Sequence, residues 1–264
     1  MKNTASTLLK QKQSGEKITM LTAYDYTTAR IEDECGVNSI LIGDSLGMVM
    51  QGFDDTLPVT MDQMVYHTKM VSKGAPNAFI VADMPFMSYQ VSLEQAVANA
   101  GRLVKEGGAN AVKLEGGEEV LESIQRILSA GIPVMGHLGL TPQSINKFGT
   151  YAVRATEEDE ANRVIHDAHV LEEAGCFSMV LEKIPAALAS RIASEVKIPV
   201  IGIGAGSGVD GQVLVLQDML GITQQFKPRY LRLYGHIGED ISHAIQQYIS
   251  DVKSESFPNE KEQY

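Results

Sequence analysis

Asp44, Asp83, Glu115, His137 and Glu182 each stand directly behind a short apolar run in this chain. Ser45 follows Asp44, and Lys113 sits inside the run that ends at Glu115. A run such as Ile40-Leu41-Ile42, bounded by glycine, reads as a strand buried on both faces. A carboxylate at the end of such a strand costs free energy unless a positive charge or a set of donors meets it. Brought to one place, these carboxylates would repel one another strongly at low dielectric. They could protonate, recruit Lys113 and His137, or bind a cation. Oxygen donors with room for water suit Mg²⁺ better than zinc, and no His/Cys spacing competes. Taken singly, each residue has a plainer reading. Asp44 and Asp83 could cap loops, Glu182 could pair with Lys183 on a rim, and His137 could bond to its own loop. Lys113 resists that treatment, because lysine is rarely buried without a partner.

The elements that would position these residues alternate. Strands are expected near 18–23, 40–42, 78–82, 111–114, 133–136, 177–181, 199–203 and 213–216, the last with the weakest pattern. Between them lie helical patterns: one opened by Asp25 as N-cap and running to Cys35, and two opened by the capping boxes at Thr60 and Ser92. A fourth carries a stripe of Val120, Leu121, Ile124, Ile127 and Leu128, and a fifth starts at the acidic Glu157-Glu158-Asp159. Helices from Pro185 and from Ile237 complete the set. Gly or Pro turns precede the strands, as in Gly107-Gly108-Ala109-Asn110 and Gly131-Ile132-Pro133. Repeated β–α units imply a parallel sheet with right-handed crossovers. This many in 264 residues implies an α/β fold, one (βα)8 barrel domain over 1–264 with residues at strand C-termini converging on one mouth. The rival is an open doubly wound sheet, but Gly202-x-Gly204-x-Gly206 falls late and lacks a dinucleotide fingerprint. Those glycines could cradle phosphate or make a tight turn. Loops at 46–59 and 138–155 are long enough to be functional, the second as a lid.

Composition narrows the classes of function. A net charge of −11 argues against nucleic acid as a partner. Residues 1–17 are polar and contain no signal-peptide core, and no apolar run approaches the ~20 residues that span a bilayer. A cytoplasmic protein with no membrane partner is expected. Cys35 and Cys176 do not make a disulfide framework. The tail from 254 is expected to fray.

Several stretches resemble one family. They are Leu41-Ile42-Gly43-Asp44-Ser45-Leu46-Gly47-Met48, Thr56-Leu57-Pro58-Val59-Thr60, Ala82-Asp83-Met84-Pro85-Phe86-Met87 and Val112-Lys113-Leu114-Glu115-Gly116-Gly117. Gly136-His137-Leu138-Gly139-Leu140-Thr141-Pro142-Gln143-Ser144, Glu182-Lys183-Ile184-Pro185 and Ile201-Gly202-Ile203-Gly204-Ala205-Gly206 belong with them. Together they are similar to the ketopantoate hydroxymethyltransferases, within the phosphoenolpyruvate/pyruvate-type barrels. The resemblance runs from about Thr22 to Asp251. It implies transfer of a one-carbon unit from 5,10-methylenetetrahydrofolate to 3-methyl-2-oxobutanoate, giving 2-dehydropantoate on the way to pantothenate and coenzyme A. It further implies Mg²⁺ as cofactor and a homodecamer of two pentameric rings. By resemblance, Asp44 and Asp83 are direct metal ligands and Glu115 acts on the metal through water. Asp44, Ser45, Asp83, Lys113 and His137 contact the oxo acid, and Glu182 is the general base. The stretch Gly149-Thr150-Tyr151-Ala152-Val153-Arg154-Ala155 departs from the family pattern in lacking a second Gly and a Lys, which bears on the lid's conformation.

The other readings are an Mg-dependent 2-oxo-acid lyase or mutase of the same barrel type, and a non-catalytic binding barrel. Such lyases usually carry a cysteine loop, and neither Cys35 nor Cys176 is expected at a strand C-terminus. From the charge pattern alone, Asp83→Ala is expected to lose metal-dependent binding while relieving repulsion in the pit.

Overall fold

The computed structural model describes residues 2–223 and 227–264. Met1, the first residue of the expected polar segment, lies outside the described residues. The chain divides into two compact units, Met1–Val215 and Leu216–Tyr264.

The first unit opens with α1 (Ala5–Ser14), β1 (Ile18–Thr22), α2 (Tyr26–Glu34), β2 (Ser39–Ile42), the single turn α3 (Leu46–Val49) and α4 (Met61–Gly74). It continues through β3 (Phe79–Asp83), α5 (Leu93–Lys105), β4 (Ala111–Lys113), α6 (Leu121–Ser129), β5 (Val134–Gly139) and the short α7 (Ile145–Phe148). It closes with α8 (Glu158–Ala174), β6 (Ser178–Glu182), α9 (Ala186–Glu195), β7 (Val200–Ile203) and β8 (Gly211–Leu214). Every strand pairs in parallel with its sequence neighbours, and β8 closes onto β1, so the sheet is a (βα)8 barrel.

Two apolar clusters hold it. One lies between strands and helices, through residues such as Ile40, Ile42, Val112, Ile124, Leu171 and Ile192. The other takes alternate residues from every strand, among them Met20, Leu41, Val81, Ala111, Met135, Val180, Ile201 and Val213. Strand side chains repeat every two residues. The residues two positions beyond Val81, Ala111, Met135 and Val180 are Asp83, Lys113, His137 and Glu182. These polar residues therefore share the inward face with the apolar layer and stand one pleat closer to the strand C-termini. Leu8 of α1 joins that interior cluster.

Local rules explain most element ends. Asp25 caps α2, accepting from the N–H groups of Thr27 and Thr28. Thr60 and Gln63 form the expected reciprocal capping box at α4. At α5 only half of the second box forms, with Ser92 accepting from Gln95 N–H. α1 was not expected: its sequence is mostly polar, its apolar residues Ala5, Leu8 and Leu9 make no extended stripe, and only Leu8 and Gln11 are buried. The signal it does carry is the box formed by Thr4 and Thr7. β8 lies at Gly211–Leu214, two residues before the expected 213–216, because its pairing with Ile18 starts at a glycine without apolar character. β5 runs on to Gly139, so His137 lies inside the strand and not just beyond it. Residues 204–210 join β7 to β8 without a helix. Gly206 there has φ +80°, and an added Cβ would meet Ala186 Cβ at 2.5 Å, which supports a tight turn as the use of these glycines.

The second unit contains α10 (Leu216–Met219) and α11 (Ile237–Lys253). α11 is amphipathic as expected, and Ile241, Ile245, Tyr248 and Ile249 are exposed along it. Among the described residues no helix is long and apolar enough to cross a membrane.

Candidate active site

The mouth of the barrel gathers the sequence-selected residues. Asp44, Asp83, Lys113, Glu115 and His137 are buried, Ser45 is half-buried, and the Glu182 side chain keeps 15% exposure. Asp83 and Lys113 are register partners on β3 and β4, and Lys113 Nζ lies 2.8 Å from Asp83 Oδ1. The other oxygen, Asp83 Oδ2, accepts from Asp44 N–H at 3.1 Å. Lys113 Nζ is also 3.2 Å from His137 Nδ1. His137 faces two more carboxylates, with Nδ1 3.5 Å from Glu115 Oε1 and Nε2 3.4 Å from Glu182 Oε2. The chain of contacts thus runs Asp44, Asp83, Lys113, His137, Glu182, with Glu115 branching at the histidine.

Charge decides the protonation states. Burial, then the charges of Asp83 and Glu115, hold the Asp44 carboxyl well above the usual carboxylate range, outweighing Lys113 and Gln143. Asp83 is raised as well, chiefly by burial, with Lys113 pulling the other way. Burial alone would discharge Lys113, yet Asp83, Glu115 and Asp44 together raise its pKa and keep it an ammonium. For His137, burial and Lys113 push down while the Glu115 and Glu182 carboxylates pull up, and the net result is a rise to about 9. An ammonium can only donate, so in the neutral ring Lys113 makes Nδ1 an acceptor and Nε2–H faces Glu182. A second proton would have to turn from Lys113 toward Glu115.

Three residues not singled out in the sequence complete the site. Gln143 is buried and lies in the turn after β5; its amide donates to Asp44 Oδ2 at 2.8 Å and to Met84 O at 2.9 Å. Its backbone N–H donates to Glu115 Oε2 at 2.9 Å. Tyr89, also buried, places its hydroxyl 2.8 Å from Gln143 Oε1 and 3.1 Å from Glu115 O. Tyr24 lies with its hydroxyl 2.8 Å from Ser45 Oγ. Gln143 falls within the quoted Thr141-Pro142-Gln143-Ser144 stretch, but nothing in a polar loop residue's pattern announces burial.

The plainer readings fare differently. Glu182 does not pair with Lys183, whose ammonium donates to Tyr151 O. The 138–155 segment is tied down by Leu140 N–H to Glu182 O at 2.9 Å and Arg154 N–H to Lys183 O at 2.8 Å. Arg154 also sits 4.1 Å over the Phe148 ring. Cys35 is exposed beyond α2, and burial pushes the Cys176 thiol up to about 12, so neither is a thiolate at the mouth.

Among the described residues, no group of three or more His, Cys, Asp or Glu side chains is placed to hold a metal ion. Two carboxylates are a different matter. Magnesium is commonly held by one or two carboxylates, with water and substrate completing its shell. Asp44 and Asp83 are buried, repel each other, and offer only oxygen donors, and Asp83 Oδ1 has no well-aligned hydrogen bond. That donor set fits a small hard cation. Glu115, engaged by Gln143 and His137, stands behind the pair.

Comparison with known proteins agrees along the whole chain. Residues 2–260 match the sequence model of a family described as ketopantoate hydroxymethyltransferase. A 3-methyl-2-oxobutanoate hydroxymethyltransferase of Parabacteroides distasonis is 63% identical over 263 residues, covering 100% of this chain and 96% of the relative. One of Bacteroides fragilis is 61% identical with the same coverage. Among solved structures, a phosphonopyruvate hydrolase complexed with oxalate and Mg²⁺ superposes with a TM-score of 0.64 at 12% identity, covering 98% of this chain and 93% of that one. A 2,3-dimethylmalate lyase of the PEP mutase/isocitrate lyase superfamily gives 0.62 at 14% identity, covering 98% and 90%. At such low identity these two share the fold alone.

Proposed function

We propose, for a chain that belongs to the ketopantoate hydroxymethyltransferase family, that the barrel mouth builds 2-dehydropantoate from 3-methyl-2-oxobutanoate, 5,10-methylenetetrahydrofolate and water, which supplies the hydroxyl oxygen, and releases tetrahydrofolate. The chain is a hydroxymethyltransferase of the pantothenate pathway; the folate donor, the metal and the residue roles are the proposal. The observation that carries it is the row Asp83, Lys113, His137 and Glu182, one pleat beyond the apolar interior and joined by contacts of 2.8 to 3.4 Å.

Asp44 and Asp83 would hold a magnesium ion, with Glu115 behind them, and the ion would polarise the ketone of the oxo acid as a Lewis acid. Glu182, the most exposed carboxylate of the contact chain, removes the C3 proton of the oxo acid. Its neighbour His137 turns Nε2–H toward that carboxylate at 3.4 Å and steadies its charge. Lys113 and His137 offset the negative charge that builds on the substrate as C3 becomes nucleophilic toward the one-carbon unit. Ser45, braced by Tyr24, offers a hydroxyl to the substrate. Burial of the pit strengthens each of these interactions relative to water. Assembly as a decamer of two pentameric rings, and a cytoplasmic location, belong to the same reading.

The test is proton exchange. Protein, Mg²⁺ and 3-methyl-2-oxobutanoate are mixed in deuterated water without folate, and the C3 signal is followed by NMR. Metal-dependent loss of that signal is expected. Cleavage of the oxo acid would instead mark a lyase, and an unchanged substrate would mark a binding barrel; either overturns the proposal.

A further inference from the structure

We infer that Gln143 is the positioning residue of this site, the neutral group that holds Asp44 and Glu115 at one spacing against their mutual repulsion. The inference rests on the reading of the mouth as a metal-dependent 2-oxo-acid site.

Each of the other charged groups in the pit has an ionic or ionisable neighbour. Asp83 has Lys113, and Glu115 and Glu182 have His137. Asp44 has none within ion-pair distance among the described residues: its carboxylate is met by the Gln143 amide at 2.8 Å. The same residue donates its backbone N–H to Glu115, so a single turn of chain grips two carboxylates carried by different strands. The orientation of the amide follows from its partners. Asp44 Oδ2, taken as a carboxylate, and Met84 O can only accept, so Nε2 must face both, and Oε1 is left for the Tyr89 hydroxyl. Burial holds the Tyr89 phenol far above its ordinary pKa, so it remains a donor. Its backbone neighbourhood is fixed in turn, because Glu115 N–H donates to the same hydroxyl at 3.2 Å.

A neutral clamp does something that a lysine at this position would not. It fixes the geometry of Asp44 without placing a positive charge beside it, and so leaves that role to a bound cation. Groups that orient a metal-ligating side chain typically govern metal affinity or activity by about 10–100-fold. Because Gln143 rides on the 138–155 segment, it also links the conformation of that segment to the metal-binding pair.

The test compares wild type, Gln143→Met and Tyr89→Phe by calorimetric titration with Mg²⁺ in the presence of 3-methyl-2-oxobutanoate. Gln143→Met fills the same space without hydrogen bonds. It is expected to fold with a lowered unfolding midpoint and to weaken Mg²⁺ by about 10–100-fold. Tyr89→Phe, which removes one hydroxyl, should give a smaller loss. The double variant should show no more loss than Gln143→Met, since the two act in series. Unaltered Mg²⁺ affinity in folded Gln143→Met overturns the inference. If that variant does not fold, unaltered affinity in Tyr89→Phe does so instead. A wild-type protein that binds neither Mg²⁺ nor the oxo acid would remove the underlying reading, a result distinct from either.

Discussion

Asp83 and Lys113 occupy paired positions on adjacent parallel strands, and their side chains meet at 2.8 Å inside the barrel mouth. The register alone brings them together, since residues opposite each other on neighbouring strands point to the same face. This pair reverses one expectation. Charge counting suggested that Asp83→Ala would relieve repulsion. Removal of Asp83 instead takes away the carboxylate that meets the buried Lys113 ammonium at 2.8 Å, leaving it the more distant charges of Glu115 and Asp44. It also leaves the Asp44 N–H without its acceptor.

Asp83→Ala should therefore destabilise the protein, as should Lys113→Met. Breaking a buried ion pair costs about 3–5 kcal/mol when the remaining charge stays ionised. In Lys113→Met the loss of the ammonium raises the folded-state pKa of Asp83 further, so the orphaned carboxyl can protonate. The stability lost relative to wild type should then be greater at pH 8 than at pH 5, as measured by urea unfolding. An equal or smaller loss at pH 8 would contradict the pairing.

Glu182→Gln separates binding from chemistry. The amide cannot accept the C3 proton, and loss of a general base typically costs about 10²–10⁴-fold in rate. Turnover and C3 deuterium exchange should fall together by that order, with Mg²⁺-dependent oxo-acid binding nearly intact. Normal exchange in the variant would move the role to His137.

Gly139 tests how Glu182 is placed. It is the register partner of Glu182, has φ +93°, and an added Cβ would stand 2.3 Å from Glu182 O. Gly139→Ala should cost about 2–4 kcal/mol from left-handed strain and overpacking together. Catalytic rate should fall more than substrate affinity. A variant with wild-type unfolding midpoint and rate would show that the close approach is not required.

Glu32 predicts an alkaline weakness outside the site. It is buried on α2, both carboxylate oxygens lack hydrogen-bond partners among the described residues, and burial followed by the charge of Asp25 raises its pKa to about 8. The folded state therefore binds more protons than the unfolded state between the ordinary glutamate pKa of about 4.3 and about 8. Stability from this group is full below that window and is lost as pH rises through it, by on the order of a few kcal/mol. Glu32→Leu should flatten that slope in a comparison of unfolding midpoints at pH 5.5 and 8.5. Parallel pH profiles for variant and wild type would assign the dependence elsewhere.

Much of this protein was legible in its residue order. Short continuous apolar runs ending in Asp, Glu or His, spaced by helical stripes and glycine turns, specify the barrel and the residues at its mouth. They do so because strand periodicity and crossover handedness are local properties of the chain. Helix α1 and the start of β8 were not legible, since a mostly polar helix and a strand that opens on Gly211-Gln212 carry too weak an apolar signal. Nor could the order of residues say which carboxylate pairs with which base. Lys113 goes to Asp83, Glu182 lies beside His137, and Asp44 is left to Gln143, because register and burial set the distances and desolvation then makes every contact count. Gln143 and Tyr89 carry no pattern of their own. Only the closed barrel, which brings the turn after β5 over the ends of β2 and β4, turns a loop amide and a phenol into parts of the site.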